Sequence, residues 1–202
     1  MVEAGIANRA LILIGEGFEE VEFFYPYYRL IEADFQVDVA STEAGKIKGK
    51  HGLEFEAKCS AKVLKGVAYD IIVIPGGWGP DRLRRDSEVL RIVKEAFEEY
   101  RVIAAICHGP QVLISAGILK NKKVTGARAI WDDLRNAGAE VVDEPVVVDG
   151  NIVTSRAPPD LPHFMKKTLE LVGKYPKIVE TIETGKRTAI IRKRKTTEQI
   201  SK

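Results

Sequence analysis

Three short apolar runs mark the hydrophobic and polar pattern of this chain. They cover residues 9–15 (RALILIG), 71–74 (IIVI) and 102–106 (VIAAI), and glycines lie at or shortly after the end of each. Aliphatic runs of this length are typical of strands buried on both faces of a parallel sheet. Each run is therefore predicted to form a central strand.

Amphipathic segments lie between these runs. A helical pattern covers residues 21–33, interrupted by Pro26, and Ser87 is placed to cap a helix that ends near Tyr100. The other predicted elements are strands at 35–41 and 53–58, short helices at 110–116 and 131–137, a hairpin turning at 149–151, and a helix that Asp160 caps and that runs to about Val172. This alternation predicts an α/β fold with a mostly parallel sheet.

The composition fits one well-buried core. The chain has 202 residues, of which 45% are hydrophobic, and two full domains are not expected. No apolar run approaches the roughly 18–20 residues that cross a bilayer, and the N-terminal segment has acids where a signal peptide would be basic. We therefore expect a cytoplasmic protein without a membrane partner. The 30% of charged residues and the scarcity of Asn and Gln indicate a thermophilic source.

Charge divides the chain near residue 173. Residues 173–202 contain nine Lys or Arg and three Asp or Glu, a net charge of +6, which leaves −4 for residues 1–172 out of a total of +2. We predict an α/β domain over residues 1–172 and a basic C-terminal extension over 173–202. The acidic body argues against a nucleic-acid partner. The extension is free to pair at a sheet edge, dock on a neighbouring subunit or bind an anion.

The segment AAICHGPQVL (residues 104–113) carries the most specific chemistry. It puts Cys107 and His108 side by side where a predicted strand meets a predicted helix. That geometry is typical of a nucleophile elbow, which raises a reactive side chain above the carboxyl ends of the strands. A helix start beyond Cys107 is expected to lower its pKa, and His108 is placed to act as the base.

Simpler interpretations of the same residues stay open. Cys107 can be a small buried residue at a strand end, and Gly76 and Gly77 can form a plain tight turn rather than an oxyanion site. The acids Glu19 and Glu22 can simply favour the start of a helix instead of one donating a hydrogen bond to the thiolate. The only other cysteine is Cys59, and without a metal-ligand spacing we expect no metal and no cofactor.

Longer motifs favour the functional interpretation. The segments GFEEVEFFYPYYRL, GKHG, IIVIPGGWGPDRLR, AAICHGPQVLISAGIL and DDLRNAGAEVVDEPVVVDGNIVTSR, followed by DL, resemble the PfpI intracellular-protease family of the ThiJ/PfpI superfamily. The matches keep the family's order from about residue 9 to about residue 172. The resemblance implies a flavodoxin-like three-layer sandwich with Cys107 at the elbow, and assembly into dimers or hexamers.

The resemblance also implies roles for single residues. Glu22 would be the acid hydrogen-bonded to Cys107, with Glu19 nearby at the pocket. His108 would be the second catalytic residue. Backbone N–H groups of residues 76, 77 and 108 would form the oxyanion site.

The sequence departs from the family at two places. The carboxylate that completes a Cys-His-Glu triad from a neighbouring subunit falls on Asp81, which is one methylene shorter, and Ala127 stands where protease-like members carry a pocket tyrosine. Arg156 is a candidate for binding a substrate carboxylate or for a surface ion pair. His163 is expected at a helix surface or rim, and His51 in a loop.

Three functions compete at this point. The first is a cysteine-dependent hydrolase of the protease or amidase type, with Cys107, His108 and an inter-subunit carboxylate. The second is a cofactor-free glyoxalase or deglycase acting on methylglyoxal or glycated groups. The third is a redox sensor or chaperone in which Glu22 stabilises an oxidised Cys107. The predicted partners are a peptide or small-molecule substrate and further copies of the chain.

Overall fold

The computed structural model describes residues 8–174, 177–184 and 187–194. Within these ranges the strands are β1 (Asn8–Leu13), β2 (Phe35–Ser41), β3 (Gly45–Lys48), β4 (Glu54–Ala57), β5 (Cys59–Ser60), β6 (Ile71–Ile74), β7 (Val102–Ile106), β8 (Lys123–Val124), β9 (Glu140–Val141), β10 (Val146–Asp149), β11 (Ile152–Ser155), β12 (Lys177–Thr184) and β13 (Arg187–Arg194). The α-helices are α1 (Glu20–Glu32), α2 (Gly79–Leu83), α3 (Ser87–Glu98), α4 (Pro110–Ser115), α5 (Trp131–Asn136) and α6 (Leu161–Lys174).

Seven strands form the central sheet, in the spatial order β10-β11-β7-β6-β1-β2-β5. All neighbours pair in parallel except β10 and β11, which form an antiparallel hairpin at one edge. The chain runs from β1 to β2 on one side and then returns to β6 on the other side of β1. This reversal of strand order creates a crevice at the carboxyl ends of β1 and β6, where open α/β sheets bind ligands.

Side chains of the central strands alternate between two cores. One face, which includes Leu11 and Ile72, packs against α3 and α4. The other face, which includes Ile12 and Val73, packs against α1 and α6. Helices therefore cover both faces of a mostly parallel sheet, which confirms the predicted three-layer α/β fold.

Two predictions for the helices need correction. Helix α1 runs through Pro26 without a break, although an interior proline removes one helical hydrogen bond and crowds the preceding turn. The cap of α3 is Asp86 rather than Ser87, since Asp86 Oδ1 accepts hydrogen bonds from the N–H groups of Glu88 and Val89 at 2.8 and 3.1 Å. Asp160 lies directly before α6, which begins at Leu161, and this is the position that the sequence predicts for the cap of that helix.

The predicted strand at 53–58 is observed over its central part as β4, which pairs with β3 in a separate two-stranded sheet. In the C-terminal extension, β12 and β13 pair with each other in an antiparallel hairpin. The division of the chain at residue 173 stays a prediction. Within the described ranges no helix is long and apolar enough to cross a membrane.

Candidate active site at Cys107

Cys107 occupies a strained turn directly after β7. Its φ is +60°, a left-handed conformation that non-glycine residues rarely adopt and that clusters at functional sites. Two hydrogen bonds hold the turn: the Cys107 N–H donates to Ser155 O at 3.0 Å, and the Ala127 N–H donates to Cys107 O at 2.8 Å. The turn therefore has the geometry of the predicted nucleophile elbow.

Glycines bring the neighbouring loop against this turn. An ideal Cβ at Gly76 would lie 2.6 Å from the Cys107 Cβ and 2.9 Å from the His108 nitrogen. An ideal Cβ at Gly109 would lie 2.4 Å from the carbonyl oxygen of Ile74. No side chain fits at either position, so the β6 and β7 loops can pack together only because both residues are glycine.

The carboxyl group of Glu22 lies in the same space. Glu22 is fully buried on the inner face of α1, and its Oε2 accepts a hydrogen bond from the Gly76 N–H at 2.8 Å. Burial raises the pKa of this carboxyl to about 7; the Gly76 bond opposes the rise and the nearby charge of Glu19 adds to it. Glu22 therefore holds or releases a proton near neutral pH.

The pKa of the Cys107 thiol is raised rather than lowered. Burial and the negative charge of Glu22 raise it to about 12, while the N–H groups of Gly77 and His108 act in the opposite direction. The predicted lowering is therefore wrong, because burial and the charge of Glu22 outweigh the backbone donors that face the sulfur.

These donors differ in part from the predicted oxyanion set. The N–H groups of Gly77 and His108 face the sulfur. The Gly76 N–H is already used by Glu22. Gly76 therefore orients the acid, and the other two members of the predicted set are left to stabilise charge on sulfur or substrate.

The imidazole of His108 lies beside the nucleophile. Its Nδ1 is 3.3 Å from Cys107 Sγ. Partial burial, followed by the positive charge of Lys50, lowers the pKa of His108 below its usual value. The ring is therefore neutral at pH 7 and can accept a proton.

A loop between β3 and β4 adds a wall that the sequence does not predict. Lys50 Nζ and His51 Nε2 both lie 3.2 Å from Glu19 carboxylate oxygens. The buried Glu20 holds this loop by accepting hydrogen bonds from the backbone N–H groups of His51 and Leu53 at 2.6 and 3.4 Å. The feature of the sequence that could have indicated this loop is the GKHG segment, because it combines a glycine-flanked turn with a lysine and a histidine.

Among the described residues, the cluster that most resembles a set of metal ligands consists of Glu19 and Glu20 at the start of α1 and His51 on this loop. One potential ligand atom from each of Glu19, Glu20 and His51 lies within 4.8 Å of the others. Lys50 sits on Glu19 at 3.2 Å and its positive charge opposes a cation there. We assign no metal to this cluster.

Asp81 and His163 lie apart from the cysteine. Among the described residues, the exposed Asp81 on α2 makes no side-chain hydrogen bond or ion pair. A contact between Asp81 and His108 therefore needs a second subunit and stays a prediction. His163 is exposed on α6, as expected.

Arg156 lines the cavity but is already paired. Its guanidinium donates to both Asp160 oxygens at 2.8 and 3.1 Å and to Asp143 at 2.7 Å. These two carboxylates raise its pKa and balance its charge. The ion pair, one of the two predicted alternatives for Arg156, is the one that the structure shows.

A cavity of about 670 Å³ has Cys107 in its wall. The side chains around it include those of Ala127, Arg128, Trp131, Asp143 and Arg156. Its volume suits a small-molecule substrate, and Ala127 leaves free the space that a tyrosine would fill.

A cysteine on a left-handed turn above a parallel sheet, with a buried acid beside it, is typical of α/β proteins that use a nucleophile elbow. Residues 8–171 match the DJ-1/PfpI family. The chain belongs to that family.

The similarity to named relatives extends over almost their full length. Deglycase TK1284 of Thermococcus kodakarensis is 44% identical over 164 residues, which cover 81% of this chain and 99% of that protein. Protein/nucleic acid deglycase 2 of Escherichia coli is 36% identical over 176 residues, covering 83% and 99%. The crystal structure of Drosophila melanogaster DJ-1beta superposes with a TM-score of 0.78 at 30% identity, covering 83% of this chain and 92% of that one.

Proposed function

We propose that this chain is a cofactor-free, cysteine-dependent glyoxalase or deglycase that acts on methylglyoxal and on its adducts with amino groups. The observation that carries the proposal is Glu22, a buried carboxyl beside Cys107 whose pKa is raised to about 7. A group with this pKa can take and return a proton at neutral pH. Turning an oxoaldehyde into a hydroxy acid requires such a transfer between two carbons.

The first step joins the sulfur to the substrate. The Cys107 thiolate adds to the aldehyde carbon of methylglyoxal, and the carbonyl oxygen takes a proton from Glu22 to give a hemithioacetal. In an amine adduct the same carbon is bonded to nitrogen. There the C–S bond forms, the C–N bond breaks, and the proton goes to the departing amine. Both routes lead to the same hemithioacetal.

The next steps move a proton and then add water. The Glu22 carboxylate removes the proton from the carbon that bears sulfur, which gives an enediolate, and then returns this proton to the neighbouring carbon. The hydroxyl proton on the sulfur-bearing carbon moves to the neighbouring oxygen, and the product is a lactoyl thioester. Neutral His108 takes a proton from water, and the resulting hydroxide cleaves the thioester. One methylglyoxal and one water thus give one lactate, and the thiol is restored.

The names of the relatives favour this function over the peptidase or amidase that the resemblance placed first. Two of them are named deglycases. A peptidase would also need a carboxylate to orient His108, and Asp81 can provide it only from a neighbouring subunit. The geometry of the site is compatible with both the glyoxalase or deglycase reaction and peptide hydrolysis. Measured turnover of the two kinds of substrate therefore has to distinguish them.

A redox role for Cys107 is the second candidate. Within the described structure, the Oε1 atom of Glu22 is buried and has no hydrogen-bond partner. A protonated Glu22 can donate a hydrogen bond from this position to a sulfinate formed by oxidation of the thiol. Mass spectrometry after mild peroxide treatment would show a stable gain of two oxygen atoms on Cys107 in the wild type and further oxidation in Glu22→Ala.

Self-association as a dimer or hexamer stays part of the proposal. Helix α1 exposes Val21, Tyr28 and Ile31 at 45%, 62% and 45%. Their spacing puts them on one face of the helix, and a second copy of the chain is the proposed cover. Light scattering of the wild type and of Tyr28→Lys should then give a larger mass for the wild type.

The proposed activity is tested by measuring lactate released from free methylglyoxal and from its adduct with the free side-chain amino group of Nα-acetyl-lysine. Wild type and Cys59→Ala should be active, and Cys107→Ala should be inactive with unchanged circular dichroism. Lactate formation by Cys107→Ala, or none by wild type, would overturn the proposal.

A further inference from the structure

The C-terminal hairpin lies outside the part of the chain that the relatives share. The family match ends at residue 171, and 164 residues of this chain cover 99% of Deglycase TK1284. Strands β12 and β13 pair with each other along their whole length, and within the described ranges no other strand pairs with either of them. An isolated two-stranded hairpin is only marginally stable in water. Pairing of one of its edges with a further strand would therefore stabilise it.

The central sheet has an edge that can take a further strand. Strand β10 forms this edge, and in the part of the chain that the structure describes its only strand partner is β11. Every second backbone N–H and C=O group of β10 therefore points away from the sheet. Val148 on β10 is 41% exposed, although valine is among the residues most often buried. An edge of this kind favours the addition of a strand from another segment.

Strands β10 and β13 have complementary sequences when one of them is read backwards. Residues 143–148, which lead into β10 and include most of it, are DEPVVV. Residues 189–194 of β13, read from the last to the first, are RKRIIA. An antiparallel pairing of the two segments puts the three valines of β10 opposite Ile191, Ile190 and Ala189. Apolar residues directly opposite each other on antiparallel strands stabilise the pairing.

Opposite charges flank this apolar stretch in the same register. Asp143 falls opposite Arg194, and Glu144 falls opposite Lys193. Both acids are exposed, and Glu144 makes no side-chain hydrogen bond or ion pair with any described residue. The charge of the whole chain has the same division, because the C-terminal extension carries +6 and residues 1–172 carry −4. Opposite charges across a strand pair add to its stability.

We propose that β13 of one copy of this chain adds to the outer edge of β10 of a second copy, antiparallel and in the register given above. In the single chain the hairpin forms a sheet of its own and does not pair with β10. The added strand is therefore assigned to another molecule. The central sheet of each copy gains β13 and, through it, β12. This interface is separate from the exposed face of α1, and it does not depend on the proposed activity.

Disulfide formation between introduced thiols tests the register. In a Cys59→Ala, Cys107→Ala background, one protein carries Val148→Cys and another carries Ala189→Cys, at positions that the register puts directly opposite each other. Oxidation of the mixture should give a covalent dimer in which peptide mapping joins the two introduced thiols. Val63→Cys replaces Val148→Cys in the matched control, because Val63 is a valine exposed at 65% outside the central sheet. No linked dimer with Val148→Cys, or one formed as readily with Val63→Cys, would overturn the proposal.

Exchange of one charge pair tests the same contact without new thiols. The measurement is the dissociation constant of the assembly by analytical ultracentrifugation, in a Tyr28→Lys background that weakens the association proposed for α1. Glu144→Lys or Lys193→Glu alone should raise this constant about tenfold or more, because each puts like charges opposite each other. The two substitutions together restore opposite charges and should return the constant to within about twofold of its starting value. Glu56→Lys, the same change at an exposed position of β4, is the matched control and should have no effect.

Further outcomes separate this interface from other sites for the hairpin. A single chain that carries both Val148→Cys and Ala189→Cys reports pairing within one molecule. A bridge inside single chains, with none between copies, would overturn the assignment to a second copy. Weaker association for Lys193→Glu with no change for Glu144→Lys would assign the hairpin to a surface other than β10. None of these measurements uses a substrate, so the absence of lactate formation would leave their results unchanged.

Discussion

The carboxyl group of Glu22 raises the pKa of the Cys107 thiol, while the thiol lowers the pKa of the carboxyl. Groups coupled in this way release their protons as a pair. The pair loses its first proton near pH 7 and its second near pH 12. Between these values one proton is shared, and the sulfur is a nucleophile when that proton is on Glu22.

The pH dependence of alkylation should report this shared proton. We expect the rate of Cys107 alkylation by iodoacetamide to rise with an apparent pKa near 7, the first ionisation of the pair. In Glu22→Gln the thiol titrates alone, without the negative charge that raises its pKa. Its apparent pKa should then lie above the wild-type value and below 12.

The alkylation measurement is best made in a Cys59→Ala background, so that Cys107 is the remaining thiol. The lactate assay should run in parallel. The amide introduced by Glu22→Gln cannot return a proton to substrate, so turnover should fall by about 100-fold or more. A wild-type alkylation rate that rises only above pH 10 would contradict the shared proton.

Adding a methyl group at Gly76 should disable the site. Gly76→Ala puts a Cβ 2.6 Å from both Cys107 Cβ and Glu22 Oε2, so the acid and the nucleophile must move apart. Displacement of about 1 Å at a reacting group lowers rates by about 100-fold. The measurement is kcat for lactate formation together with the melting temperature.

Gly173→Ala is the matched control for this substitution. An ideal Cβ at Gly173 in α6 meets nothing within 4 Å, and replacing a helical glycine stabilises a protein by about 0.5–1 kcal/mol. Its kcat should equal that of the wild type. An active Gly76→Ala would show that the packing of this loop does not position the catalytic groups.

Asp81 distinguishes the two hydrolytic chemistries. Because the proposed glyoxalase steps use only Cys107, Glu22 and His108, Asp81→Ala should keep lactate formation within about twofold of the wild type, as expected for an exposed residue. Cleavage of a fluorogenic peptide amide, if present in the wild type, should be lost. The opposite pattern, lost lactate formation with the assembly intact, would assign Asp81 to the aldehyde chemistry.

Breaking the buried ion pair beside the start of β7 should destabilise the protein more than breaking an exposed ion pair. Arg101 and Asp70 are 2% and 1% exposed, and Arg101 Nη1 lies 3.7 Å from Asp70 Oδ1. Arg101→Met leaves the buried Asp70 carboxylate with the 2.9 Å hydrogen bond from the Arg9 N–H but without the arginine charge, and it should lower the free energy of unfolding by about 3 kcal/mol. Lys123→Ala, which breaks the exposed pair with Glu140, should change it by less than about 1 kcal/mol. Denaturant titration of the three proteins provides the comparison, and equal losses would contradict the burial argument.

The elements that the sequence predicts well are those that local pattern determines. The runs at 71–74 and 102–106 are strands because their uniform apolar character fits only a sheet covered on both faces. The elbow follows from a strand ending at Cys-His-Gly-Pro. The predicted N-cap of α3 is wrong by one residue because Asp86 and Ser87 are adjacent and both side chains make good caps.

The hydrophobic and polar pattern of the sequence does not predict the parts of the site that depend on contacts between distant segments. Lys50 reaches Glu19 from a hairpin about thirty residues away, and composition does not predict that approach. The predicted direction of the Cys107 pKa shift is wrong because burial and the charge of Glu22 outweigh the local donors. The buried Arg101 is likewise hidden from the sequence, since arginine is normally exposed.

The hydrogen bond from Ala127 to Cys107 O has an evolutionary consequence. It uses only backbone atoms of residue 127, so it forms whichever side chain stands there. The exposed side chain of residue 128, which also lines the cavity, can therefore be exchanged while the sulfur keeps its position. A lineage with this fold can change the charge at the cavity by one point substitution and keep the backbone of the elbow intact.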